Sequence, residues 1–352
     1  MNTLINFLLS TAAAMLVIAV PVAAHHSDAA LAMDEIHEIE GTVVEYSMRN
    51  PHSYVVVETT DAAGEMIEYE VQMASALTVS RRGWTRDTLT PGDQVKVGVR
   101  PSRDGRPYGL IDWIEINGEP RREEDIVAGR GSGSTPAEEA TTDTIEGIWI
   151  VDRASLGDDY PGGLDQLTLR DLTLTQAGRA AEATYSQNSD ENPELSCISK
   201  PTPSFIVYTD LYPTQIAFND ASETIEIRSQ YFDTERTIFM DGRDHPPSAF
   251  RSHEGHSIGR WEGETLVIDT TNFSDHRSPY QNGIPSGAQK HVIERYRLHE
   301  DGTRLNVEFF LEDPEFIVGS MTHSRDLIYS PDIEMTPFDC DLEATRRFLP
   351  DQ

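Results

Sequence analysis

Residues 255–271 read GHSIGRWEGETLVIDTT, and two folds compete for this stretch. Its first five residues satisfy G-x-S-x-G, the nucleophile elbow of serine hydrolases, in which the serine stands on a strained turn between a strand and a helix. The residues after Ser257 do not suit a helix. IGRWE and TLVIDTT are strand-like runs joined at Glu262-Gly263, a hairpin signal. Strand, turn, strand predicts a β-meander and leaves Ser257 without an elbow.

The same alternation recurs on either side, in TQIAFND (214–220), ETIEIRSQYF (223–232), ERTIFMDG (235–242), HVIERYRLHE (291–300), TRLNVEFFLED (303–313) and THSRDLIYS (322–330). Turn pairs such as Asn219-Asp220, Asp241-Gly242 and Asp301-Gly302 separate them. So long an antiparallel set predicts a barrel or sandwich over 145–352, and a barrel of that size can hold one small ligand. A short helix is expected within LTLTQAGRAAEATYSQ (172–187). The two cysteines, Cys197 and Cys340, form an even pair that predicts a disulfide in an oxidising compartment. Cys197 precedes the first of these strands and Cys340 comes after the last, so the bond is expected to fasten the two ends of the module.

Residues 25–118 form a second pattern. IEGTVVEYSM (39–48), SYVVVETT (53–60) and EMIEYEVQM (65–73) alternate as strands; SALTVSRRGW (75–84) suits a helix; TPGDQVKVGVRP (90–101) and YGLIDWIEING (108–118) supply two more strands. Five strands with a helix after the third is the order of an OB-like barrel. Between the modules, residues 119–144 (EPRREEDIVAGRGSGSTPAEEATTDT) are poor in apolar side chains and read as a flexible linker.

A length of 352 residues agrees with two domains. The net charge of −32 repels phosphates, so nucleic acid is not an expected partner, whereas cations are attracted. Residues 1–24 carry no charged side chain and end in Val22-Ala23-Ala24, which predicts a signal peptide and a periplasmic or secreted protein with no stable membrane anchor after cleavage. Cleavage after Ala24 exposes His25. Its amine and ring, with His26 and His52, would form a nitrogen-rich set suited to Cu(II), against the alternative of a frayed tail.

GHSIGRWEGETLVIDTTNF, with DGRDHP before it and HVIERYRL after it, resembles a group of uncharacterised secreted bacterial proteins with a lipocalin-like β-rich domain. HHSDAA, GTVVEYSMRNPHSYVVV and RRGWTRDTLTPGDQV resemble DUF6152, its companion module. The resemblance implies fold and export and carries no assigned activity. Where relatives have a histidine-rich run, this chain has PYQNGIPSGAQKH and keeps only His291.

Five histidines, His245, His253, His256, His276 and His291, surround the GHSIG segment. Convergence of His256, Asp269 and His291 would give an acid–base pair with a carboxylate orienting one imidazole. Trp261 and Tyr296 are candidate ligand-stacking residues, although with Phe309 they also suit a core. The favoured expectation is an exported binding or accessory protein that carries a small, partly apolar ligand in the barrel; the alternative is a periplasmic hydrolase, isomerase or lyase that performs acid–base chemistry at its mouth. An apolar lumen would favour the first, and clustered charged groups the second.

Overall fold

The computed structural model describes residues 31–119, 140–156, 167, 170–186, 189–277, 283–347 and 349. His25, His26, the proposed leader and most of the linker therefore lie outside the described residues. Both strand sets close into barrels.

The first barrel contains β1 (His37–Ser47), β2 (Tyr54–Thr60), β3 (Met66–Gln72), β4 (Gln94–Pro101) and β5 (Tyr108–Ile116), in the closed order β1-β2-β3-β5-β4. Helix α1 (Ala76–Ser80) comes after β3, where the sequence places it, and the Ser75 side chain caps it by accepting the Thr78 N–H at 3.1 Å. Val43, Val55, Val57, Val71, Val97 and Ile111 point inward and bury the core, as strand alternation requires. At Gly98 a Cβ would lie 2.0 Å from the Trp113 ring, so only glycine lets that indole cross the strand.

The larger barrel has nine strands: β6 (Gly147–Val151), β7 (Thr214–Asn219), β8 (Thr224–Ser229), β9 (Thr234–Phe239), β10 (His256–Glu262), β11 (Thr265–Thr271), β12 (His291–Leu298), β13 (Arg304–Glu312) and β14 (Ser320–Tyr329). Neighbours are antiparallel except β9 and β10, whose parallel pairing (Ser257 with Ile238) closes the ring. A barrel, rather than a sandwich, is the outcome. Helix α2 (Gln176–Glu182) lies within the predicted helical stretch, capped by Thr175. Helix α3 (Ser204–Val207) is wholly buried, and its Phe205, Ile206 and Val207 join Trp149, Ile268, Val292, Val307 and Phe309 in the core. The lumen is therefore packed with side chains.

One expectation is corrected. Residues 147–151 are a barrel strand, slotted between β14 and β7 and too short to show alternation in the sequence. Cys197 and Cys340 are bonded, with Cα atoms 5.9 Å apart, but β6 lies outside the loop they close. The bond instead fastens the segment leading into α3 to the tail after β14. That tail also meets the first barrel: Cys340 forms a β-bridge with Asn50, the Asp341 N–H donates to Asn50 O at 2.9 Å, and Arg49 pairs with Asp341 at 3.0 Å. Arg81 of the first barrel donates to Leu211 O at 2.7 Å and to Gln230. Among the described residues no helix is long and apolar enough to cross a membrane.

Candidate active site at the histidine rim

The start of β10, the end of β11, the start of β12 and the end of β13 meet at one rim of the larger barrel. Asp269 lies opposite Ile258 of β10 and Ile293 of β12, so His256 and His291, two residues earlier on those strands, flank it diagonally on the outward face. His291 in turn lies opposite Glu312. The three residues singled out in the sequence thus share one face of three adjacent strands.

A fourth residue completes the group. After β9 the chain turns at Asp241-Gly242, with Gly242 at φ 75°, and folds back over the rim through HPP, where Asn272 Nδ2 holds Pro246 O at 2.9 Å. This places His245 between His256 and Asp269: its Nδ1 is 2.9 Å from His256 Nδ1, and its Nε2 is 3.2 Å from Asp269 Oδ1. His291 Nε2 bonds the same Asp269 oxygen at 2.9 Å, and its Nδ1 is 3.9 Å from Glu312. No periodicity announces His245, because a loop delivers it.

An ionised Asp269 can only accept, so a neutral His245 donates from Nε2 and its Nδ1 accepts from His256 Nδ1–H. The chain therefore selects the His256 tautomer whose Nε2 lone pair is available as a base. Desolvation lowers the His256 pKa first, assisted by His245 and by Arg243. Arg243 is held by Asp241 and lies 3.9 Å over the Phe239 ring, which stacks on His256 at 5.1 Å. His291 moves the other way: its hydrogen bond to Asp269 raises it above the ordinary imidazole value. The His291 bond likewise holds the Asp269 carboxyl below the usual carboxylate range. Two imidazoles pushed apart around one carboxylate match an acid and a base.

Ser257 points the other way, into the barrel. It is buried, its Oγ is 2.9 Å from Thr270 Oγ1, and it lies within a strand that leads to a hairpin, so the elbow geometry is absent at this serine.

Behind the rim the barrel interior is charged. Arg236 and Glu294, 5% and 0% exposed, form a buried ion pair, with Tyr296 donating to Glu294 at 3.0 Å. Arg236 Nε and Nη1 and Glu294 Oε1 have no hydrogen-bond partner among the described residues. Lys290 and Asp313 are buried nearby, and burial pushes the lysine down to about 7. Tyr296 is therefore an interior residue of this polar cluster. Trp261 is at the opposite rim, 46% exposed and edge-on to Phe218 at 6.4 Å, lining an open cleft of about 980 Å³ with Thr144, Leu298 and His299. The two aromatic candidates do not meet.

His52 lies between the barrels, with Nδ1 3.3 Å from Gln72 Nε2, and burial pushes it down to about 4. Its proposed partners His25 and His26 are outside the described residues. Among the described residues, no group of three or more His, Cys, Asp or Glu side chains is arranged to hold a metal ion.

Residues 13–111 match the model of a family of unknown function, DUF6152, so the first barrel is a DUF6152-like module. No curated protein and no solved structure matches the chain.

Proposed function

We propose that this is an exported protein whose larger barrel performs acid–base chemistry on a small molecule at the histidine rim, as a hydrolase, isomerase or lyase. The observation that carries this proposal is the single oxygen Asp269 Oδ1, which binds both His291 and His245, the latter holding His256. In a hydrolytic cycle His256 Nε2 takes a proton from the attacking water, and the His291 imidazolium returns one to the leaving oxygen. The charged groups inside the barrel agree with a polar reaction better than with an apolar carrier lumen.

The two shifts set the sign of the pH dependence. The base works only when neutral, so activity rises as pH passes the lowered pKa of His256; the acid works only when protonated, so activity falls as pH passes the raised pKa of His291. Turnover by the full chain of an unactivated alkyl acetate, whose alkoxide leaving group needs a proton, is expected to give a bell-shaped kcat/KM profile whose limbs bracket about 6.5. A profile that rises steadily with pH, as for buffer-catalysed hydrolysis, would count against the proposal.

A second reading, carriage of a small and partly apolar ligand, is favoured by the exposed Trp261 in its cleft. The two are separable, because Trp261→Ala would remove binding in that cleft and leave the rim chemistry intact. Copper chelation by His25 and His26 remains a proposal of the sequence.

A further inference from the structure

We propose that the outer face of the first barrel over β1–β3 is a peptide-binding surface that recognises an arginine presented by a turn, and that residues 341–347 of this chain, a run of turns, are its resident occupant. The strand register builds the site. Glu45 of β1 and Glu70 of β3 both lie opposite Val56 of β2, so two carboxylates share one row of one face, an arrangement that repels itself unless a cation sits between them. Tyr54, two residues from Val56 on the same strand, supplies an aromatic surface beside the row.

Arg347 fills this site. Its Nη1 and Nη2 donate to the two oxygens of Glu45 at 2.7 and 3.2 Å, its Nε donates to Glu70 at 2.7 Å, and its guanidinium carbon is 5.0 Å from the Tyr54 ring centroid. A planar fork, a second carboxylate and a stacked ring use features of arginine that lysine lacks. The backbone of the tail is held too: Tyr54 Oη donates to Ala344 O at 3.2 Å, and Ala344 is buried against Tyr54 and Tyr108. The face over the second and third strands is also where OB-like barrels take ligands. Here its carboxylates reject a phosphate backbone and accept a guanidinium.

Arg347→Glu in the full chain sets a third carboxylate beside Glu45 and Glu70 and should expel the end of the tail. Two measurements on the folded variant test the proposal, with wild type as reference. Amide exchange at residues 344–346 is expected to be at least tenfold faster, and a labelled peptide of residues 341–349 is expected to bind at least tenfold more tightly by fluorescence anisotropy. The same peptide carrying Arg347→Ala should not bind, and adding Glu70→Arg to the variant should restore slow exchange and exclude the peptide. Unchanged exchange would show that Arg347 does not hold the tail. Faster exchange without peptide binding would show that the face does not read a peptide. Either result overturns the proposal.

Discussion

On the proposed acid–base reading, Asp269→Asn is expected to lower kcat/KM for an unactivated alkyl acetate by about 10²–10⁴-fold, the range for losing the acid–base groups that Asp269 positions. The substitution preserves shape and changes what the oxygen pair can accept. Asp269 Oδ1 accepts from both His245 and His291 in the native site. The neutral amide oxygen is a weaker acceptor for both imidazoles and the amide adds an N–H donor, so the bonds that orient His291 and His245, and through His245 the His256 tautomer, are weakened. With the negative charge removed, the raised pKa of His291 falls, and the alkaline limb of the rate profile moves to lower pH. Asp269 is at the surface of the barrel wall and lies outside the hydrophobic core, so thermal unfolding should change little. Kinetics and calorimetry on the same variant check both statements; activity within twofold of wild type would remove Asp269 from the mechanism.

Loss of the Cys197–Cys340 bond, by the double variant Cys197→Ser/Cys340→Ser, is expected to lower stability by about 4–5 kcal/mol, the chain-entropy estimate for a loop closed across 143 residues. The location of the bond determines what loosens. Cys340 bridges to Asn50 and roots the tail that carries Asp341, Ala344 and Arg347 onto the first barrel, while Cys197 ends the turn leading into α3. The damage should therefore reach both barrels, whereas a bond fastening only the ends of the larger one would spare the first. Urea unfolding of the oxidised and double-serine proteins measures the loss. A difference below about 1 kcal/mol would mean that packing of the tail alone supplies the constraint.

How much of this is legible in the chain differs from element to element. Alternation in β10–β14 and the Glu262-Gly263 turn are enough to reject the elbow at Ser257 and to predict a closed or stacked β module, because a half-buried strand carries its own period. β6 is not visible, since GIWIV is a five-residue run without alternation and its place between β14 and β7 depends on contacts far away in sequence. At the site, His256, Asp269 and His291 can be grouped because each sits on or beside a readable strand. His245 cannot, because its position depends on how the Asp241-Gly242 turn folds a loop back over the rim. The parity of Tyr296 places it inside with Glu294, but only the register of β9 and β12 in the closed barrel brings Arg236 to that pair. The tail contact has no signal at all, since an arginine near the end of an acidic chain says nothing about which face receives it.

In the proposed mechanism Asp269 raises His291 into an acid, while burial, His245 and Arg243 lower His256 into a base. Two-dimensional NMR of the ring protons of His256 and His291, tracked through a pH titration of the full chain, measures this directly. The expected result is His256 titrating below about 6.5 and His291 above it, with His291 returning toward 6.5 in Asp269→Asn. Coincident titration of the two histidines near 6.5, unaffected by Asp269→Asn, would contradict it.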